Sequence, residues 1–190
     1  MSRVFWVRHG PTHARSMVGW SDLPADLSDR PALERLAAHL PAEAVVVSSD
    51  LLRATATADA IAGTRTRLPH ETGLREIHFG DWELQAFDTI PDQDRLRAFW
   101  DTPGDIRAPG GESWHEVVAR VGGTLARLHT AFPGRDIVAV AHMGVILTQV
   151  QAALGVDGFT AFSHRIDPLS VTEIHRRGNG WTAEAINHRP

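Results

Sequence analysis

The sequence contains no cysteine, so neither a disulfide framework nor thiolate chemistry is available to it. It contains no lysine either: all 19 basic residues are arginine. That excludes Schiff-base catalysis and the lysine of a phosphate-binding P-loop. No apolar run approaches the roughly 20 residues of a membrane-spanning helix. No charged and apolar leader precedes the first apolar stretch at Val4, so no secretion signal is read and a cytoplasmic location is expected. A net charge of −4 argues against a non-specific nucleic-acid binder. The one cation that is present, arginine, suits bidentate recognition of phosphate.

The 190 residues, 43% of them hydrophobic, are read as one domain, 1–190, able to bury a core without covalent staples. Val4-Phe5-Trp6-Val7 is an apolar run of the kind buried on both faces of a sheet. It runs directly into Arg8-His9-Gly10. A loop of about fifteen residues, Thr12 to Asp26, follows; structureless segments that long are uncommon and often functional. Ser28 or Asp29 is placed to cap a helix carrying Leu33, Leu36, Ala37 and Leu40, which Pro41 ends. Ala44 to Val47 is a second buried strand, stopping at Ser48-Ser49-Asp50. The next helix is expected to point Leu51, Leu52, Thr55, Ala58 and Ile61 at the core and to stop at Gly63. Arg65 to His70 reads as a short strand. Leu74 to Leu84 carries too many charges to be expected in a core.

Asp92 to Trp100 reads as a short helix with Leu96, Phe99 and Trp100 facing inward, the two aromatics as core rather than as a substrate platform. Ser113 and Glu116 have capping-box spacing ahead of Val117, Val121, Leu125, Leu128 and Phe132, which mark a long amphipathic helix. Ile137 to Ala141 is a third buried strand, ending at His142-Met143-Gly144, and Val145 to Leu154 is helical up to Gly155. Ser170 to His175 and Trp181 to Ile186 alternate across an Arg177-Gly178-Asn179-Gly180 turn and read as a hairpin. Strands alternating with helices predict an α/β three-layer sandwich: a mostly parallel sheet, helices on both faces, and an antiparallel edge from the C-terminal hairpin. In such a sheet the carboxyl ends of the strands line one edge, where ligands bind.

Three of those ends carry Arg8-His9, Ser48-Ser49-Asp50 and His142. Arg53 lies in the first turn of its helix, where a cation opposes the helix dipole; it either snorkels to solvent, pairs with Asp50, or meets a bound anion. Two histidines and two arginines around one point make a poor metal site and a good oxyanion site, so no metal and no cofactor is expected.

Arg8-His9-Gly10-Pro11-Thr12 resembles the signature of the histidine phosphatase superfamily, which includes phosphoglycerate mutases. Ser48 to Ala58, with Arg53, resembles its second motif. Leu74-Arg75-Glu76-Ile77 followed by Phe79-Gly80-Asp81-Trp82-Glu83 resembles the segment carrying its proton donor, at Glu76. Gly110-Gly111-Glu112-Ser113 is similar to a recurrent turn of the family, and Ala141-His142-Met143-Gly144 to its second-histidine motif. The sequence departs from the pattern at Pro11, Arg15, Ala56 and Met143. The resemblance implies a metal-independent phosphomonoesterase that acts through a phosphohistidine. His9 is then the nucleophile, Glu76 the proton donor, and Arg8, Arg53 and His142 the ligands of the phosphoryl oxygens. Thr12, Arg15, Trp20, Met143 and Gly144 are expected at the substrate, with Arg15 either a further cation or a partner for a substrate carboxylate. Asp22 with Arg15 and Trp20 would line the entrance. The alternatives are a phosphoglycerate mutase-type phosphotransferase and a non-catalytic phospho-ligand binding domain. The partner is a small phosphorylated metabolite, with α-ribazole phosphate, a sugar phosphate and a phosphorylated side chain all open; no nucleic acid or membrane partner is expected, and the oligomeric state is not read.

Overall fold

A computed structural model describes residues 2–178 and 180–190. Six strands form one sheet: β1 (Arg3–Arg8), β2 (Val45–Ser48), β3 (Thr66–Arg67), β4 (Ile137–Ala141), β5 (Val171–Arg177) and β6 (Gly180–His188). Their order is β3-β2-β4-β1-β5-β6. The first four run parallel; β5 lies antiparallel to β1, and β6 to β5. Of the expected hairpin turn, Asn179 lies outside the described residues.

Six helices flank the sheet: α1 (Arg30–His39), α2 (Leu52–Ala62), α3 (Gln93–Asp101), α4 (Trp114–Ala131), α5 (Met143–Leu154) and α6 (Gly158–Phe162). The parallel strands read as unbroken apolar runs because alternate side chains feed two cores. Phe5, Val7, Val46, Val138 and Val140 pack under α1 and α2. Val4, Trp6, Val45, Val47, Ile137 and Ala139 pack under α4 and α5 on the other face. Helix starts follow local chemistry. The Asp29 carboxylate accepts from Ala32 N at the start of α1, and Ser113 and Glu116 close a reciprocal capping box on α4.

Two expectations change, and one element is new. α2 is rotated: Leu52 is 52% exposed and Thr55 only half-buried, while Arg53, Ala54, Thr57, Ala58 and Ile61 face inward. Small alanines let this helix sit close to the sheet, and Arg53 and Thr57 fill the end nearest the strand tips. The segment Leu74 to Leu84 is not a solvated loop: Leu74, Glu76, Ile77, Phe79 and Trp82 are buried. Its charges are tolerated because fixed donors meet them, as described below. Helix α6, five residues long and capped by Asp157, has too short a period to be read from sequence.

Register decides what happens at the sheet edge. Arg8 lies opposite Ala141, so one residue further on His9 and His142 stand side by side. Ser48 lies opposite Val140, so Ser49 stands opposite Ala141 and its hydroxyl reaches the neighbouring His142 ring. Three separate chain segments therefore deliver their polar residues to one point.

Candidate active site

The imidazoles of His9 and His142 lie with ring centroids 5.0 Å apart. His9 Nδ1 is 2.6 Å from the carbonyl oxygen of Gly10. A carbonyl only accepts, so Nδ1 carries the proton and Nε2 holds a free lone pair. Burial, reinforced by the Arg53 and Arg8 guanidinium groups and opposed by the Gly10 bond, pushes the His9 pKa down to about 3. The ring is neutral at physiological pH. His142 is completely buried and its pKa is also pushed down, first by burial, then by His9 and the arginines. Its Nε2 lies 2.7 Å from the Ser49 hydroxyl, and its Nδ1 is buried without a partner among the described residues. Arg8 Nε is buried without one too. A buried donor left unpaired costs about 1–3 kcal/mol.

Arg53 is 1% exposed. Its guanidinium donates to the carbonyls of Ser21 at 2.9 Å and Gly19 at 2.6 Å. Arg8 donates to the carbonyl of Ile166 at 2.5 Å. Among the described residues neither pairs with a carboxylate; of the alternatives open for Arg53, it is buried rather than in solvent and is not paired with Asp50, which holds Arg75. Burial lowers the pKa of both arginines, and the Glu76 carboxylate counteracts that. Thr57 Oγ1 accepts from Gly10 N at 3.0 Å and donates to the Arg53 carbonyl at 2.7 Å, tying the tip of β1 to the first turns of α2.

Glu76 is 7% exposed. Burial raises its pKa against the pull of the Ile77 and Gly144 amides and of Arg53 and Arg8. Gly144 N, in the first turn of α5, lies 3.0 Å and 3.2 Å from its two carboxyl oxygens. That approach requires glycine: a Cβ on residue 144 would stand 2.5 Å from Glu76 Oε1 and 2.9 Å from the Ile77 side chain.

Arg8, His9, Thr12, Arg53, Glu76, Met143 and Gly144 line one cavity of about 180 Å³. His142 sits behind its wall, touching His9. Two expected substrate residues are elsewhere. Arg15 is exposed and does not line the cavity. Trp20 turns inward: its Nε1 donates to the Glu76 carbonyl at 2.8 Å, and its ring stacks under the Arg75 guanidinium at 4.8 Å. Asp22 accepts from Leu52 N, so the entrance is not built from these three. Trp100, expected as core, is only half-buried and forms part of the cavity wall.

Three supporting residues were not legible as such. Glu83 accepts from the amides of Gly19, Trp20, Ser21 and Phe79 and from the Ser21 hydroxyl. Burial alone would raise its pKa, but those donors outweigh it and hold the carboxyl below its usual range. Arg120 donates to the carbonyls of Gly73, Arg75 and Glu76. Glu112 pairs with Arg120 at 2.8 Å and accepts from His78 N. Glu83 and Glu112 fall within the segments 79–83 and 110–113 that carry the resemblance, whereas nothing in the sequence singles out Arg120. His13, paired with Asp26, and His115, paired with Asp105, are surface residues, while Trp82 is core. His78 packs edge-on against Trp20 at 4.4 Å.

No helix among the described residues is long and apolar enough to cross a membrane. A solved Bacillus stearothermophilus protein, YhfR, superposes with a TM-score of 0.90 at 27% identity, covering 99% of this chain and 98% of that one. A mycobacterial glucosyl-3-phosphoglycerate phosphatase, solved with VO3, gives 0.82 at 29% identity, covering 98% of each chain. Among curated relatives, a "probable phosphoglycerate mutase GpmB" of Salmonella choleraesuis (strain SC-B67) is 27% identical, covering 96% of this chain and 89% of its own length. The model of the histidine phosphatase superfamily (branch 1) matches residues 4–189, and the chain belongs to that family.

Proposed function

We propose that residues 1–190 form a single cytoplasmic domain that hydrolyses phosphomonoesters of small metabolites without a metal, through a phosphohistidine on His9. The observation that carries this reading is the state of His9: a buried neutral ring, its Nδ1 proton held by Gly10 and its Nε2 lone pair free beside two buried guanidinium groups. Nε2 attacks phosphorus as the ester P–O bond breaks, in line. Arg8 and Arg53, which line the cavity, hold the equatorial oxygens, where charge gathers in a loose transition state, and His142, behind His9, is the third group that the family resemblance assigns to the phosphoryl group. Glu76, whose raised pKa favours the protonated carboxyl, gives its proton to the departing alcohol oxygen. The resulting carboxylate then takes a proton from water, whose oxygen attacks phosphorus. The N–P bond breaks, inorganic phosphate leaves, and His9 and Glu76 return to their starting states.

The test is p-nitrophenyl phosphate turnover in the presence of a chelator, wild type against His9→Ala. Turnover that survives chelation and is lost in the variant supports the reading; turnover at the wild-type rate in the variant overturns it. A mutase-type phosphotransferase is the second reading, favoured by the name of the curated Salmonella relative. Following 3-phosphoglycerate by phosphorus NMR separates them: inorganic phosphate for a hydrolase, an isomeric phosphoglycerate for a mutase.

A further inference from the structure

Beyond the phosphoryl subsite the cavity changes character. Besides Arg8, His9, Arg53 and Glu76 its lining holds no titratable side chain: apart from the hydroxyls of Thr12 and Ser16 it is apolar, with Ala14, Met17, Val18, Phe79, Phe87 and Trp100 among its members. Among the described residues five large apolar side chains stand exposed, Leu52, Leu84, Phe87, Leu154 and Phe159, and only Phe87 borders this cavity. Phe87 is 51% exposed, and its ring stands 6.0 Å from that of Trp100. Trp100 is fixed from behind by Phe79, Phe99 and Phe162, at 5.9, 5.0 and 5.2 Å. Its indole Nε1 is buried, so the ring atoms it leaves exposed are carbon. An exposed aromatic on a rigid aromatic base, inside a concave site, is how apolar groups are bound.

The same wall disfavours a second anion. A carboxylate or second phosphate on the leaving group would enter an apolar mouth with no cation to receive it, and would lose its hydration uncompensated. Arg15 cannot serve as placed, since it lies outside the lining. Resting on the phosphatase reading, we propose that the site selects phosphomonoesters whose alcohol is uncharged and carries an aromatic ring, with Phe87 and Trp100 as the specificity-determining wall. An apolar cavity of roughly 150 Å³ holds one benzene. The 180 Å³ here is shared with the phosphoryl group, so the ring is only partly enclosed, against Phe87 at the mouth.

The test compares 2-phenylethyl phosphate with ethyl phosphate, whose leaving alcohols are similar in acidity, so that the ratio of kcat/KM reads contact with the ring and not chemistry. Wild type should favour the phenylethyl ester by about tenfold or more, the order of discrimination that an apolar pocket gives. Phe87→Ala should bring the ratio below about threefold, with Phe87→Leu between. 3-Phosphoglycerate should be slower than either ester. A wild-type ratio near one, a ratio unchanged in Phe87→Ala, or faster turnover of 3-phosphoglycerate overturns the proposal while leaving hydrolysis intact. Absence of phosphate release from every ester would instead sink the phosphatase reading itself.

Discussion

Glu83 does not itself line the cavity, yet it should control it. Its carboxylate gathers the amides of Gly19, Trp20 and Ser21, whose neighbouring carbonyls at 19 and 21 hold the Arg53 guanidinium. In Glu83→Gln one oxygen survives and the other becomes an amide NH2. If the oxygen keeps Trp20 N and Phe79 N, the NH2 confronts Gly19 N and Ser21 N, donor against donor; the Ser21 hydroxyl can turn to accept. Two buried amides left unpaired cost about 1–3 kcal/mol each, so a loss of roughly 3 kcal/mol is expected. For a chain of this size that lowers Tm by about 6–12 °C. The released loop should also loosen Arg53, so kcat/KM falls and the Kd for inorganic phosphate rises. pH gives an internal control. The folded carboxyl of Glu83 has a lowered pKa, so its stabilisation is present above the unfolded value and is lost as pH falls through the folded one. The gap in Tm between wild type and variant should therefore close in acid. Thermal denaturation over a pH series, with phosphate binding by calorimetry, reads all of this. A variant within 1–2 °C of wild type at neutral pH, or a gap that widens in acid, would refute the anchoring role.

Glu76→Gln should slow alkyl phosphates far more than p-nitrophenyl phosphate, whose leaving group needs no proton, and should remove the fall in kcat/KM that wild type shows as pH rises through the raised Glu76 pKa. Gly144→Ala places a methyl 2.5 Å from Glu76 Oε1; overpacking of this kind costs about 1–3 kcal/mol and should displace the carboxyl, read as a lower Tm with alkyl-ester turnover reduced more than aryl. His9→Asn should flatten stability against pH between about 3 and 6.5, where the unfolded chain binds a proton at residue 9 that the folded wild type does not. Between pH 7 and 4.5 wild type should lose about 2–3 kcal/mol more than this variant in urea unfolding.

The sheet was legible because its parallel strands are buried on both faces, which leaves the unbroken runs at Val4, Ala44 and Ile137. α4 was legible from its period and its capping box. The strand-end residues at 8, 9 and 142 were legible because the apolar runs stop there. Other features rest on contacts remote in sequence. Glu76 and Glu83 look like solvated charges in the chain, and only amides at 144 and at 19–21 show that they are buried acceptors. The turning of Arg15 outward and Trp20 inward follows from the same anchoring of the loop, which residue type does not encode. The phase of α2 was misread because leucine outweighs alanine in a hydrophobic pattern, while close packing on the sheet favours alanine.

The electrostatics of the unliganded site account for why such a low nucleophile pKa is compatible with the proposed chemistry. Burial does most to depress His9, and two buried guanidinium groups add to it; against burial, the same two groups pull Glu76 in the direction of its anion. A phosphoryl dianion placed between Arg8 and Arg53 would offset their fields, so His9 Nε2 would regain the part of its basicity that they remove, while its Nδ1 proton stays donated to the Gly10 carbonyl. The same dianion faces Glu76, and a neighbouring anion raises a carboxyl pKa further. On the proposed mechanism, substrate would thus favour the reactive state of His9 and the protonated state of Glu76 in one step. A neutral ligand of the same shape would do neither, which ties the reactive state of both groups to the charge of the group they act on.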